Sequence, residues 1–239
     1  MDRGFEETAL TLQPIGIARS PYAEKFGVPR QANLARKVET TIVFDPRRVE
    51  PAALRGLLQV SHVWVLFWFH LVNAPSRAST VRPPRLGGNA VIGTFATRSP
   101  FRPNPIGMSL LEIIEVGEMQ IRLRGGDLVD GTPVLDIKPY VAYTDCAADA
   151  HCEWVKEAPP ALVVRCSPDV ERRAADDPAF AQALAIASDI LAFDPRPAYQ
   201  KDSEVGRIYA ATLAHLNLHF RVDERGVEII DANDVTQSA

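Results

Sequence analysis

Thr97–Gly107 reads TRSPFRPNPIG and sets Arg98, Ser99, Arg102 and Asn104 among three prolines. Pro100, Pro103 and Pro105 each fix φ and remove a backbone N–H, and each drives its predecessor out of the α region. The segment is therefore a stiff extended loop that presents two guanidinium groups and an amide at low entropic cost, which is how a chain pre-organises a binding site. A Pro-rich connector with solvated arginines is the plainer alternative. The charge pattern favours the site. Between Pro51 and Leu111 there is no Asp, Glu or Lys, but there are six arginines: Arg55, Arg77, Arg82, Arg85, Arg98 and Arg102. A run that excludes carboxylates and selects Arg suits a polyanion or a flat π system, because guanidinium chelates phosphate and stacks on bases. The chain as a whole carries −4. Local charge governs a cleft, since screening removes charges beyond about 8 Å at physiological salt.

Further polar groups lie in Gly125–Pro133 (GGDLVDGTP), where Asp127 and Asp130 offer two carboxylates, although Asp130–Gly131 is also a common turn pair. His70 closes an apolar run, where a structural hydrogen-bonded role competes with a chemical one. Cys146, His151 and Cys152 have the wrong spacing for a zinc site, so no metal is expected, and the odd count of three cysteines argues against a disulfide framework. There is no GxGxxG, P-loop, HExxH or GxSxG, which removes a Rossmann nucleotide site and the standard triads.

These groups need elements to hold them. Thr11–Arg19, Thr40–Phe44, Ser61–Val72, the flanks of the Pro-rich loop (Val91–Phe95 and Met108–Glu115), Gln120–Arg124 and Val134–Tyr140 read as strands. Ser61–Val72 (SHVWVLFWFHLV) is expected to be buried on both faces, with a buried helix as the rival. Pro51–Gln59 fits a short helix. Ser20–Leu34, Asn73–Asn89, Thr97–Gly107 and Gly125–Pro133 are the connecting loops, and long loops in compact domains are usually functional. Many short strands with irregular loops predict a closed or half-closed antiparallel sheet. The fold class expected is mainly β with an α+β appendage: a β-barrel-like domain over residues 1–160 and a small α+β domain over 161–239. In the latter, Pro178–Ala192 is the one long helix, Arg207–Val222 alternates over a long span, and Glu224–Gly226 turns into Val227–Asp231.

Hydrophobic content of 46% and charged content of 23% are ordinary for a globular protein. The longest apolar run, Val63–Phe69, is too short for a bilayer, and Asp2, Glu6 and Glu7 stand where a signal peptide carries basic residues. A cytoplasmic protein with no membrane partner is expected.

Five segments carry a resemblance: PIGIARSPYAEKFGVPRQ (14–31), TVRPPRLGGN (80–89), GTFATRSPFRPNPIGMSL (93–110), DLVDGTPVLDIKPY (127–140) and DPRPAYQK (194–201). Together they resemble the TsaA-like TrmO family of S-adenosylmethionine-dependent enzymes, which methylate N6 of threonylcarbamoyladenosine beside the tRNA anticodon. The resemblance implies a β-barrel methyltransferase domain and a homodimer. By position it implies a cofactor pocket from Pro29, Arg30, Gln31, His70, Leu71, Arg98, Leu110, Asp127, Leu128, Val129 and Asp130. The tRNA contacts expected beside it are Arg82, Arg85, Arg102, Asn104, Arg196 and Tyr199. No catalytic base is singled out: Asp127, Asp130 and His70 remain open. A non-catalytic RNA-binding barrel and a small-molecule-binding barrel are the competing readings.

Overall fold

The computed structural model describes residues 10–72, 79–83, 90–155, 157–194, 196 and 206–235. Six strands close a barrel: β1 (Gly16–Arg19), β2 (Glu39–Phe44), β3 (His62–Trp68), β6 (Ile106–Val116), β7 (Gln120–Arg124) and β8 (Pro133–Pro139), in the order β1-β2-β7-β6-β3-β8, with β1 pairing back on β8. All six contacts are antiparallel. Alternation drives closure. Along β3 every second residue is buried, and Val63, Val65 and Phe67 meet Ile42, Leu111, Ile121, Leu123 and Val134 in the barrel interior. The expectation that Ser61–Val72 is buried on both faces is thus corrected. One face is fully buried and the other half-exposed, and the strand stops at Trp68 because its partner β6 begins at Ile106, opposite it. β6 carries Gly107 opposite Phe67, and a Cβ there would lie 2.3 Å from the Phe67 ring.

Two other expectations change. Pro51–Gln59 forms two separate 3-10 turns, Pro51–Leu54 and Leu57–Gln59, parted at Gly56 with φ +89°. The strand expected over Val91–Phe95 shrinks to β5 (Ile92–Gly93), which pairs with β4 (Thr80–Val81); Thr94–Ala96 is a 3-10 turn. Phe95 consequently projects outward, 80% exposed.

A short helix, α1 (Ala142–Asp145), follows the barrel. A second layer follows: β9 (Val164–Cys166), α2 (Pro168–Asp176), α3 (Pro178–Leu191), β10 (Ile208–Leu213), β11 (Leu216–Asp223) and β12 (Gly226–Asp234). The sheet order is β10-β11-β12-β9, with the last pair parallel. Each long helix starts at a cap followed by proline. Ser167 accepts from Val170 N before Pro168, and Asp177 accepts from Ala179 N and Phe180 N before Pro178. The helix α2 was absent from the sequence reading. The long alternating span splits at Ala214–His215, whose φ values of +50° and +67° make the tight turn of a hairpin.

The two layers have separate apolar cores, yet the second is completed by Tyr22, Ala35 and Val38 from the loop between β1 and β2. Tyr22 pairs with Leu213 as an isolated bridge, and Ala214 N donates to the Pro21 carbonyl. The β1–β2 loop is therefore clamped between barrel and appendage. Tyr22 is fully buried and its hydroxyl donates to the Gly126 carbonyl at 3.3 Å. Burial, and next the Asp127 charge, push its phenol far above the ordinary value, so it is a neutral donor. Tyr22→Phe should cost about 1 kcal/mol, read as a Tm drop of about 2–4 °C; an unchanged melt would show that this hydrogen bond contributes nothing net.

Candidate active site

Strand direction decides where the polar loops go. In an antiparallel barrel of this order, the β1–β2, β3–β6 and β7–β8 connections emerge at one end, and the β2–β3 and β6–β7 connections at the other. The first three are the loops that carry the candidate residues. Between them lies a cleft of about 1860 Å³. Lys25, Arg30, Arg82, Arg98 and Arg102 line it, against the carboxylates Asp127 and Glu157.

Of the residues assigned to the cofactor, Pro29, Arg30, Gln31, His70, Leu71, Arg98, Asp127, Leu128 and Val129 line this cleft. Leu110 and Asp130 do not. Ser109 and Leu111 point into the barrel, which turns Leu110 to the outer wall beside Trp64. Asp130 instead joins loops: one oxygen accepts from Ser20 N (3.1 Å), the other pairs with Arg19 (3.2 Å). Among the tRNA candidates, Arg82, Arg102 and Asn104 line the cleft. Arg196 does not; both its Nε and Nη2 bond the Asp194 carboxylate, and its carbonyl accepts from Arg30 Nη2. Arg85 and Tyr199 lie outside the described residues.

The floor holds a short polar contact. Ser109 Oγ donates to Asp127 Oδ1 at 2.6 Å. Burial raises the Asp127 carboxyl above its ordinary range, while the Ser109 hydrogen bond and the Arg98 charge pull it back in part. Arg98 Nη1 donates to Gln31 Oε1 at 2.8 Å, which locks the Pro-rich loop to the first loop. Lys25 Nζ donates to the Leu71 carbonyl at 2.6 Å, which ties that same first loop to the end of β3. Arg102 turns back on its own loop: Nη1 donates to the Thr97 and Ser99 carbonyls, both at 3.3 Å, and the guanidinium stands 6.0 Å from the centre of the Phe95 ring.

Two glycines let the last loop close. Gly125 N donates to the Val38 carbonyl and Gly126 N to that of Ala32. Their φ values are +83° and +132°, which favour glycine. Sequence reading missed Lys25, Ser109, Thr132 and Trp154, all of which line the cleft. Ser109 was the most accessible of these, as the lone hydroxyl among the inward positions of β6; Trp154 sits in the irregular stretch after α1 and carried no pattern.

The described residues contain no group of three or more His, Cys, Asp or Glu that could hold a metal ion. No helix among them is long and apolar enough to cross a membrane.

The donor set suits a sulfonium amino-acid nucleoside: a carboxylate with one oxygen already held in place and a guanidinium for the opposing carboxylate. A closed antiparallel barrel with a cationic cleft over one rim, backed by an α+β layer, is the class defined here. Residues 17–146 match the tRNA-methyltransferase O N-terminal domain and residues 159–235 the TrmO C-terminal domain. The chain belongs to the tRNA-methyltransferase O family. It is 42% identical over 228 residues to the tRNA (adenine(37)-N6)-methyltransferase of Escherichia coli (strain K12), covering 93% of this chain and 97% of that one. A Pseudomonas aeruginosa chain, named provisionally as the S-adenosylmethionine-dependent methyltransferase RcsF, is 45% identical over 212 residues, 88% of this chain and 91% of its own. The crystal structure of TrmO from P. aeruginosa superposes with a TM-score of 0.79 at 36% identity, over 97% of this chain and all of that one.

Proposed function

We propose that the protein methylates N6 of threonylcarbamoyladenosine beside the anticodon of tRNA, with S-adenosylmethionine as the methyl donor. The class of enzyme and the cofactor rest on family membership. The observation that carries the finer reading is the mixed lining of the cleft, in which five Lys and Arg side chains accompany a half-buried carboxylate. The carboxylate offers charge to a sulfonium; the cations offer it to RNA phosphate and to the threonyl carboxylate. When bound, the cofactor supplies an electrophilic methyl group. Asp127 and Arg98 hold it, the Pro-rich loop positions the RNA, and catalysis by such a site is largely alignment for in-line displacement.

Labelled methyl incorporation into tRNA that demonstrably carries the threonylcarbamoyl group tests this directly. Incorporation into tRNA lacking that group would sink the substrate assignment. Salt-dependent RNA binding with no cofactor affinity in calorimetry would instead favour a non-catalytic RNA-binding barrel.

The two arginines of the Pro-rich loop should separate. Arg98→Ala should weaken cofactor binding by about one to two powers of ten, because it removes a cation near Asp127 and the Gln31 tether. Arg102→Ala frees two loop carbonyls and the Phe95 ring, so its main loss should fall on kcat/KM for tRNA, with a shallower salt slope. Equal loss of cofactor affinity in both variants would show that the loop serves one pocket rather than two.

The homodimer belongs to the same proposal. Trp64, Leu66, Trp68, Ile106, Met108 and Leu110 share the outer wall of β3 and β6, and Met108 is 50% exposed there. Such a patch fits a second copy of the chain. Leu66→Glu, on the same wall but outside the cleft lining, should convert a light-scattering dimer to monomer; a wild-type monomer at micromolar concentration would remove the claim. A cytoplasmic location follows from the tRNA substrate, and fractionation checks it.

A further inference from the structure

We infer that His70 accepts the proton released during transfer and that Thr132 fixes the tautomer in which it can do so; this rests on the methylation reading above. His70 lies two residues beyond the end of β3, half-buried in the cleft lining. Its Nδ1 stands 3.3 Å from Thr132 Oγ1. Thr132 is buried, and its hydroxyl donates to the Val129 carbonyl at 2.6 Å. A carbonyl oxygen only accepts, so the single hydroxyl proton is committed to Val129. Toward His70 the threonine oxygen can then only accept, and Nδ1 must carry the ring proton. In the neutral ring this leaves the lone pair on Nε2, where no described residue makes a hydrogen bond. The opposite tautomer would set two lone pairs against each other or strip Val129 of its donor.

The surroundings keep the ring neutral. Burial, and next the Lys25 cation, hold the His70 imidazolium below its ordinary pKa. Asp127 has one oxygen held by Ser109 and in the reading above faces the sulfonium, Asp130 is held by Ser20 and Arg19, and Glu157 is the other carboxylate of the cleft. A neutral acceptor is what the reaction lacks. As the N6–C bond forms, the S–C bond breaks and its electron pair goes to sulfur; the N6 proton must then leave, and it passes to His70 Nε2, which later yields it to water. Thr132 touches neither reactant, so it is a positioning residue.

The ring nitrogens can be read without turnover. Long-range 1H–15N spectra of the full chain should show His70 protonated at Nδ1 and bare at Nε2 below neutral loading; Thr132→Val should lose that preference and Thr132→Ser should keep it. A wild-type His70 protonated at Nε2 overturns the tautomer assignment. In single-turnover methylation at saturating cofactor, His70→Gln should lose about 10²–10⁴-fold in rate, with the acid limb of the pH profile gone. Thr132→Val should lose about tenfold, the loss of roughly one hydrogen bond, in rate rather than in KM, and Thr132→Ser should restore it. An unchanged rate in a folded His70→Gln enzyme overturns the proton role while leaving the methylation reading intact. A wild-type enzyme silent on threonylcarbamoylated tRNA overturns both, and the spectra then still report the tautomer.

Discussion

Asp127→Asn is expected to bind S-adenosylmethionine about ten- to a hundredfold more weakly while melting no lower than the wild type. The two effects have one origin. Asp127 is a carboxylate on the floor of the cleft, half-buried, with Ser109 donating to one oxygen. Burial raises its folded-state pKa above the unfolded value. A group shifted in that direction binds its proton more tightly in the folded state, so stability is highest below the unfolded pKa and falls as pH rises through the folded one. At neutral pH the unliganded protein therefore carries a desolvation cost that Ser109 and Arg98 offset only in part, and which the neutral amide removes. A bound sulfonium offsets that cost, and the amide cannot repay it. Affinity for the cofactor should also weaken as pH falls through the raised pKa of Asp127. Calorimetry across pH, paired with thermal melts, checks both. An Asn variant that binds as tightly as wild type would show that the carboxylate is structural.

Gly126→Ala should have the largest effect on stability among single methyl additions near the site, about 3 kcal/mol from left-handed strain and overpacking together. At this chain length that is a Tm drop of roughly 6–12 °C. The glycine has φ +132°, and a Cβ would lie 2.2 Å from Thr40 Oγ1. Thr40 is fully buried and its hydroxyl donates to the Gly125 carbonyl at 2.8 Å, so it has nowhere to move. The same displacement would pull on the Tyr22 hydrogen bond and on the segment that leads to Asp127, so cofactor affinity should fall with stability. A variant that melts normally would mean that the β7–β8 loop relaxes without transmitting strain. Gly131→Ala is the control: its φ is +76°, but no atom lies within 4 Å of the added methyl. It should cost only the backbone term, about 1 kcal/mol.

The barrel was legible in the sequence because short β-branched and apolar runs bounded by Gly- and Pro-rich loops mark strands whatever the partner, with alternation showing in β7. The ends of those strands were not. Ser61–Val72 looks apolar throughout, but only seven residues find a ladder. The β10–β11 hairpin was invisible because Ala214 and His215 adopt positive φ without Gly or Asn to announce it; the fold imposes that turn by pairing Leu213 with Leu216. The helix α2 had its signals in Ser167, Pro168 and Asp169, but nine residues give too short a period to stand out against charged surroundings.

For the site, composition alone marked the carboxylate-free arginine run and the stiff Pro-rich loop, since prolines and charges act locally and need no partner to be recognised. It also marked Asp127, His70 and Arg98 once the family resemblance was taken with them. The chain could not show which of two aspartates three residues apart faces the cleft: closure of the barrel turns Asp127 onto Ser109 and Asp130 onto Ser20. Nor could it pair His70 with Thr132, 62 residues later, or set Lys25 on the Leu71 carbonyl. Those contacts depend on which strand lies beside which. That is settled by burying the apolar faces of six strands at once, and the proton positions and charge offsets of the cleft exist only after that choice is made.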